Sequence, residues 1–229
     1  VGAVEQGADH QFREAVGELV ANGAAGLVLD LRWCPGGYVE PTVALTATLL
    51  PDGRQIATVK SRTPTRGGRQ EYTSDLPPGT PRFPDLPLAV LVNADTVGGG
   101  EMIAAALQDH GRGVIVGQRT FGKANLMNLV ETPFGGLGFR VTTGFSQRPS
   151  GKNRHRFPDS KPTDDWGVRP DRGYEVPTTR DLSAKLREQA ERLAIRPPGD
   201  TDAVALDDPL ADPQRLLAVK LLKEKIAGK

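Results

Sequence analysis

The chain has 229 residues, with 29 Lys and Arg against 28 Asp and Glu, a formal charge of +1. At about 100–200 residues per domain this is one or two domains, and so even a charge excludes both a phosphate-neutralising nucleic-acid surface and an acid-rich disordered chain. Hydrophobic residues at 38% can fill a core and aromatics at 5% make it aliphatic, while a lone cysteine, Cys34, excludes an internal disulfide framework and a multi-cysteine metal site.

Residues 9–21 predict an amphipathic helix, because Phe12, Ala15, Val16, Leu19 and Val20 recur at helical spacing. Gly26–Leu31 is apolar apart from Asp30, the pattern of a buried parallel strand. The tight loop Arg32–Gly37 leads into a helix over 38–50. The Pro-, Gly-, Thr- and Arg-rich stretch 51–86, with β-like pieces near 54–61 and 68–73, reads as a surface hairpin or flap. Pro87–Val92 is a second buried strand, and the turn Thr96–Glu101 opens a helix reaching about His110, with Ile103, Ala104 and Leu107 as its apolar stripe. Gly113–Val116 is a third strand, and 126–131 with 137–143 form a hairpin across Pro133–Gly136. The polar stretch 146–173 is irregular, and its basic part, 148–156, reads as a solvated loop with some capacity to meet a peptide carboxylate. Residues 181–194 form a helix carrying Leu182, Leu186, Ala190 and Leu193 on one face, 196–209 a Pro- and Asp-rich linker, and 213–227 a last helix. Repeated strand–loop–helix units give an α/β layered core.

Chemistry concentrates where strands end. Ligands of open α/β sheets bind beyond the carboxyl ends of the strands, and the Gly-rich loops at 34–37 and 96–100 let backbone N–H groups approach them there. Two such loops together make an oxyanion hole; each alone is also an ordinary strand–helix turn. Gly117–Lys123 spells G-x-x-x-x-G-K, but Ala124 stands where a phosphate loop needs Ser or Thr, so nucleotide binding is not expected. Lys123 then reads either as a partly desolvated general base or as a solvated charge. His10, His110 and His155 share no ligand spacing, and neither a zinc site nor another cofactor is expected. No G-x-S-x-G motif supplies a nucleophile elbow. No apolar run approaches the roughly 20 residues of a membrane-spanning helix. The sequence opens on Val1 with no basic stretch leading into an apolar one, so no signal peptide is recognised.

Taken in order, Leu29-Asp-Leu-Arg-x-x-Pro-Gly-Gly37, Val92-Asn93 with the small-residue turn to Glu101, Ala105–Asp109, Gly117, Thr120–Lys123, Pro149–Gly151, Trp166–Asp171 and Asp212–Gln214 resemble the C-terminal-processing (tail-specific) serine peptidases. The resemblance implies a crotonase-like (ClpP/crotonase-type) fold with a β-hairpin flap and C-terminal helices. It divides the chain into a catalytic core over 1–178, with a shortened N-terminal strand and no recognisable PDZ domain, and a C-terminal helical extension over 179–229. It further implies a polypeptide as partner, a periplasmic or cell-envelope setting, and proteolysis by a Ser/Lys dyad.

By that resemblance Lys123 is the general base, Gly36, Gly37 and Gly99 furnish the oxyanion hole, and Glu101 supports the site. An acid in the first turn of a helix also simply suits the helix dipole. The nucleophile position falls on Gly98, three residues before Glu101 and twenty-five before Lys123. Met127 stands where the family often has a Gln behind the lysine, and Ala124 replaces the Gly that usually follows it. Three readings stay open: a weakly active or inactive homologue that retains peptide binding, an active enzyme with Thr96 or Cys34 recruited as nucleophile, and a single-site inactivated copy of an active enzyme. A peptide-binding scaffold is the competing class, and an acyl-CoA enzyme of related shape a further one. Asp30 and Arg32 are expected to pair and brace the oxyanion loop, and His110 to sit in a helix-capping context.

Overall fold

The computed structural model describes residues 1–61, 68–131, 138–194 and 212–228. Strands β1 (Leu27–Asp30), β4 (Leu88–Val92) and β5 (Val114–Gly117) lie parallel in the order β1-β4-β5. Helix α1 (Ala8–Ala21) precedes β1, α2 (Val39–Thr48) follows it, and α3 (Gly99–Asp109) connects β4 to β5. Leu88, Val90 and Val92 enter a core with α2 and α3, whereas Ala89 and Leu91 point the other way, onto Ala218, Leu221 and Leu222 of α5 (Pro213–Ala227). Burial of both faces accounts for strands that read as unbroken apolar runs.

Helix α3 departs from the one-sided stripe expected for it. Every residue from Gly99 to Leu107 is buried, because a second sheet covers its outer side. That sheet is antiparallel in the order β3-β2-β7-β6, built from β2 (Gln55–Ser61), β3 (Arg69–Thr73), β6 (Asn125–Glu131) and β7 (Gly138–Gln147). The two β-like pieces of 51–86 do pair as a hairpin, but β2 is no surface flap. It is an interior strand, flanked by β3 and β7, with Ile56, Ala57, Thr58 and Val59 buried. Its apolar side chains join the core of α2 and α3, a packing that outweighs the polar flanks that suggested exposure.

The segment after β7 carries no strand or helix until α4 (Arg180–Ala194), where Leu186 is buried and Leu182 and Ala190 are half-buried. The side chain of Leu193, the turn at 133–136 and the linker 196–209 lie outside the described residues. Helix α5 begins at Asp212, whose carboxylate accepts the N–H groups of Gln214 and Arg215, both at 3.1 Å, with Pro213 in the first turn. This cap satisfies helix donors that have no partner within the helix. No described helix is long and apolar enough to cross a membrane.

Candidate active site

The loops leaving β1 and β4 run side by side at the carboxyl ends of the strands. Asn93 Oδ1 accepts the N–H of Trp33 at 3.1 Å, and Val97 N–H donates to the Cys34 carbonyl at 2.9 Å. Thr96 Oγ1 donates to the Leu31 carbonyl at 2.9 Å and accepts the Asn93 N–H at 3.0 Å. Thr96 is therefore a buried clasp between the loops. From the other side Val4 pairs with the first loop, donating to Gly36 O at 2.8 Å and accepting from Tyr38 N at 2.9 Å. A β-carbon on Gly37 would fall 2.0 Å from the Val4 carbonyl oxygen, so this approach requires glycine.

The same closeness brings the loops' amides together. A β-carbon on Gly36 would lie 3.0 Å from Gly99 N, and one on Gly99 3.5 Å from Gly37 N. Neither the Gly37 nor the Gly99 N–H has an acceptor among the described residues. Between them Gly98 caps α3 at φ 54° and ψ −105°, a backbone conformation costly for any residue with a side chain. The space around it is open, since an added β-carbon would come no nearer than 3.7 Å to Gly36 Cα.

Glu101 lies in the first turn of α3 and has no exposed surface. Its Oε1 accepts Thr120 Oγ1 at 2.5 Å and Gly122 N at 2.6 Å; its Oε2 accepts Lys123 N at 2.8 Å and Gly98 N at 3.0 Å. One carboxylate oxygen thus binds the backbone of both residue 98 and residue 123. The phosphate-loop-like Gly117–Lys123 segment runs on into strand β6 rather than a helix, and the anion that its amides hold is Glu101.

Sequence reasoning missed Arg154. The 148–156 stretch was expected to be solvated, but Arg154 is buried, donating to Gly98 O at 2.8 Å, Lys123 O at 3.4 Å and Ser146 Oγ at 2.5 Å, with Glu101 Oε2 at 3.6 Å. Burial pulls its pKa below the ordinary arginine value, and the Glu101 charge works against that pull. Arg148 also turns inward, onto Asp109 at 2.6 Å, while Ser150, Lys152 and Asn153 do lie in solvent. Nothing local distinguishes Arg154 from its exposed basic neighbours. The one available signal is indirect: an acid buried at Glu101 calls for a buried cation.

Lys123, Gly36, Gly37, Gly98, Gly99 and Met127 line one cavity of about 860 Å³. The Lys123 ammonium group has no ion pair or hydrogen bond among the described residues. Met127, on β6 and 40% exposed, offers it no hydrogen-bond acceptor of the kind a Gln would. Thr96 and Cys34 are off the cavity wall. Cys34 is buried, its thiol lies 3.1 Å from Gly2 O, and burial raises its pKa.

Asp30 and Arg32 do pair, with guanidinium to carboxylate at 2.6 Å, and Arg32 reaches further, to Asp212 at 2.7 Å and to Gln214 Oε1 at 3.2 Å. Burial acts to lower the Arg32 pKa, but the hydrogen bonds and charges of Asp30 and Asp212 leave it raised. His110 caps α3 and meets the Gln55 carbonyl at 2.6 Å. His155 lies near the Ala124 N–H at 3.3 Å, between the rings of Phe145 and Phe157. Burial, and next the Arg154 charge, push its pKa below the usual 6.5. Among the described residues no group of His, Cys, Asp and Glu is placed to hold a metal ion.

The profile of peptidase family S41 matches residues 3–172. A carboxyl-terminal-processing protease of Synechocystis is 32% identical over 167 residues, covering 73% of this chain and 35% of that protein. A carboxy-terminal-processing protease of Bartonella bacilliformis is 30% identical over 215 residues, covering 88% of this chain and 45% of that protein. The chain therefore spans less than half the length of these curated relatives. Among solved structures, a photosystem II D1 C-terminal processing protease superposes with a TM-score of 0.61 at 30% identity, over 77% of this chain and 41% of that one. An S41 protease from Bacteroides fragilis superposes with a TM-score of 0.63 at 18% identity, over 84% of this chain and 52% of that one, a likeness of fold alone.

Proposed function

Because this chain belongs to peptidase family S41, we propose that residues 1–178 form a tail-specific peptidase core of crotonase-like layering, in which Gly98 occupies the nucleophile position and polypeptide is bound without efficient cleavage. The observation that carries this is the sharing of Glu101 Oε2 by the amides of Gly98 and Lys123, which sets residue 98 and the base candidate on one cavity wall. In a complete dyad the lysine would take a serine proton, the serine oxygen would attack the peptide carbonyl, and amides of the Gly36–Gly37 loop and of Gly99 would hold the oxyanion. Here residue 98 has no side-chain hydroxyl, and loss of a nucleophile typically costs about 10⁶ in kcat.

Recruitment is disfavoured by geometry: the Thr96 hydroxyl is committed to Leu31 and Asn93, and the Cys34 thiol is buried with a raised pKa. The test is to incubate the protein with a permanently unfolded polypeptide and to sequence new termini. The expectation is negligible turnover in the native chain, and cleavage gained by Gly98→Ser and lost again in Gly98→Ser/Lys123→Ala. Turnover by the native chain that disappears in Thr96→Ala or Cys34→Ala establishes recruitment instead. A Gly98→Ser protein that folds, binds polypeptide and stays inert means that Met127 or structure outside these residues also matters, and that the chain is not a copy inactivated at residue 98 alone. Tight binding of a CoA thioester would redirect the assignment to an acyl-transfer enzyme.

A further inference from the structure

The charges around the cavity do not balance, and the imbalance points to a ligand. Glu101 is matched by Arg154 and spends its lone pairs on Gly98 N, Gly122 N, Lys123 N and Thr120 Oγ1. Lys123 is left without a counter-ion among the described residues, in the lining of the cavity that Gly37 and Gly99, with their unengaged amides, also line. Because residue 98 has no side chain, the volume that a nucleophile's oxygen would fill is empty, with no atom nearer than 3.7 Å to a β-carbon placed there. Three donors from three chain segments thus line one cavity, beside the open space at residue 98.

We propose that this pocket is a receptor for the C-terminal carboxylate of a polypeptide. One carboxylate oxygen takes the Gly37 and Gly99 N–H groups. The other enters the space above Gly98 and receives the Lys123 ammonium, a pairing stronger than a neutral hydrogen bond because both partners are charged. Terminal-carboxylate capture by backbone amides is a recognised mode of peptide binding. A neutral peptide carbonyl, as in an internal bond, uses the amides but leaves the lysine charge unmet. The cavity continues past Val59, Tyr72, Met102, Leu126 and Leu129, which gives the preceding residues of a peptide apolar surface. This inference rests on the peptide-binding reading above and adds which part of the peptide is held.

The experiment follows backbone amide shifts of the isotope-labelled chain by NMR while N-acetyl-alanyl-alanine, its C-terminal amide, or acetate is titrated in. Saturable shifts at Gly37 and Gly99 with the free acid, at least about tenfold weaker with the amide, support the proposal. Lys123→Gln should lose most of this preference while the remaining spectrum stays native. Gly98→Ser should weaken capture of the acid by placing an oxygen in the same space. Acid and amide of equal affinity, no movement at Gly37 and Gly99, or acetate binding as well as the dipeptide overturns it. A parallel titration with the unfolded polypeptide separates the levels. Polypeptide binding with no preference for a free terminus defeats this inference alone, whereas no polypeptide binding defeats the functional reading beneath it.

Discussion

Two buried arginines hold the ends of the parallel strands, and they do so by different means. Arg32 works between side chains: Asp30, Asp212 and Gln214 clamp the start of α5 against the loop after β1. Arg154 works with backbone: it grips the carbonyls of Gly98 and Lys123, while Glu101, 3.6 Å from it, grips the amides of the same two residues. The first network fixes where a helix docks, so its failure should be felt across the sheet. The second fixes two main-chain positions directly and should be felt in the cavity. Held in this way, the two main-chain positions need no side chain at residue 98 to keep them in place.

The sharpest way to break this contrast is Glu101→Ala. Removal strands three backbone N–H groups and leaves Arg154 without a buried counter-charge, for an expected loss of at least about 4 kcal/mol in urea denaturation. Next is Arg154→Met, at about 3 kcal/mol, smaller because Glu101 keeps its four donors. Arg32→Met should cost only about 2 kcal/mol, since Asp30 is part-exposed and Asp212 keeps its cap on α5. Hydrogen exchange distinguishes the two arginines beyond their size: Arg32→Met should deprotect the amides of α5, and Arg154→Met, by releasing the Gly98 and Lys123 carbonyls, should lower protection around those two residues only in part, since Glu101 still holds their amides. If both variants deprotect the same segments, the two networks are one unit and the contrast fails.

This difference also decides what the sequence could reveal. Leu27–Asp30 and Leu88–Val92 were legible because a strand buried on both faces must be apolar throughout, and the glycines at 36–37 and 98–100 because a close approach of backbones leaves no alternative residue. The Asp30–Arg32 pair was legible because the two residues are near in sequence, whereas the reach of Arg32 to Asp212 and Gln214 was not. Arg154 was not, for its main partners are the carbonyls of residues 98 and 123, and a carbonyl leaves no trace in side-chain identity. The pairing of β2 with β7 was hidden for a related reason. Thr58–Ser61 pairs with Gly144–Gln147, a segment far away in the sequence, and half-polar strands carry no local mark of their partner.

A smaller effect tests whether the Glu101–Arg154 network, rather than residue 98 itself, sets the cavity. At φ 54° a serine side chain is strained, so Gly98→Ser should cost about 1–2 kcal/mol of stability although its β-carbon meets no close neighbour. If the network holds the loop, the variant should keep the native exchange protection of Gly122 and Lys123 and lose stability only at residue 98. If the loop instead relaxes away from the left-handed region, the cost disappears and protection at Lys123 falls with it.

The smallest expected effect comes from His155, which meets Phe145 and Phe157 edge to face beside Ala124 and feels Arg154 as a nearby positive charge. Its folded pKa lies below the usual 6.5, first because it is partly desolvated and then because of that charge. The unfolded chain consequently takes up the proton first as pH falls. The group costs nothing well above 6.5, where it is neutral in both states, and destabilises the fold progressively as pH drops below 6.5 towards its folded value. An NMR titration of the His155 ring should give a midpoint under 6.5, and Arg154→Met should move it upward even though no bond joins the two side chains. A midpoint that Arg154→Met leaves in place would mean that desolvation alone sets the His155 pKa, and that the influence of the buried arginine ends at the backbone it holds.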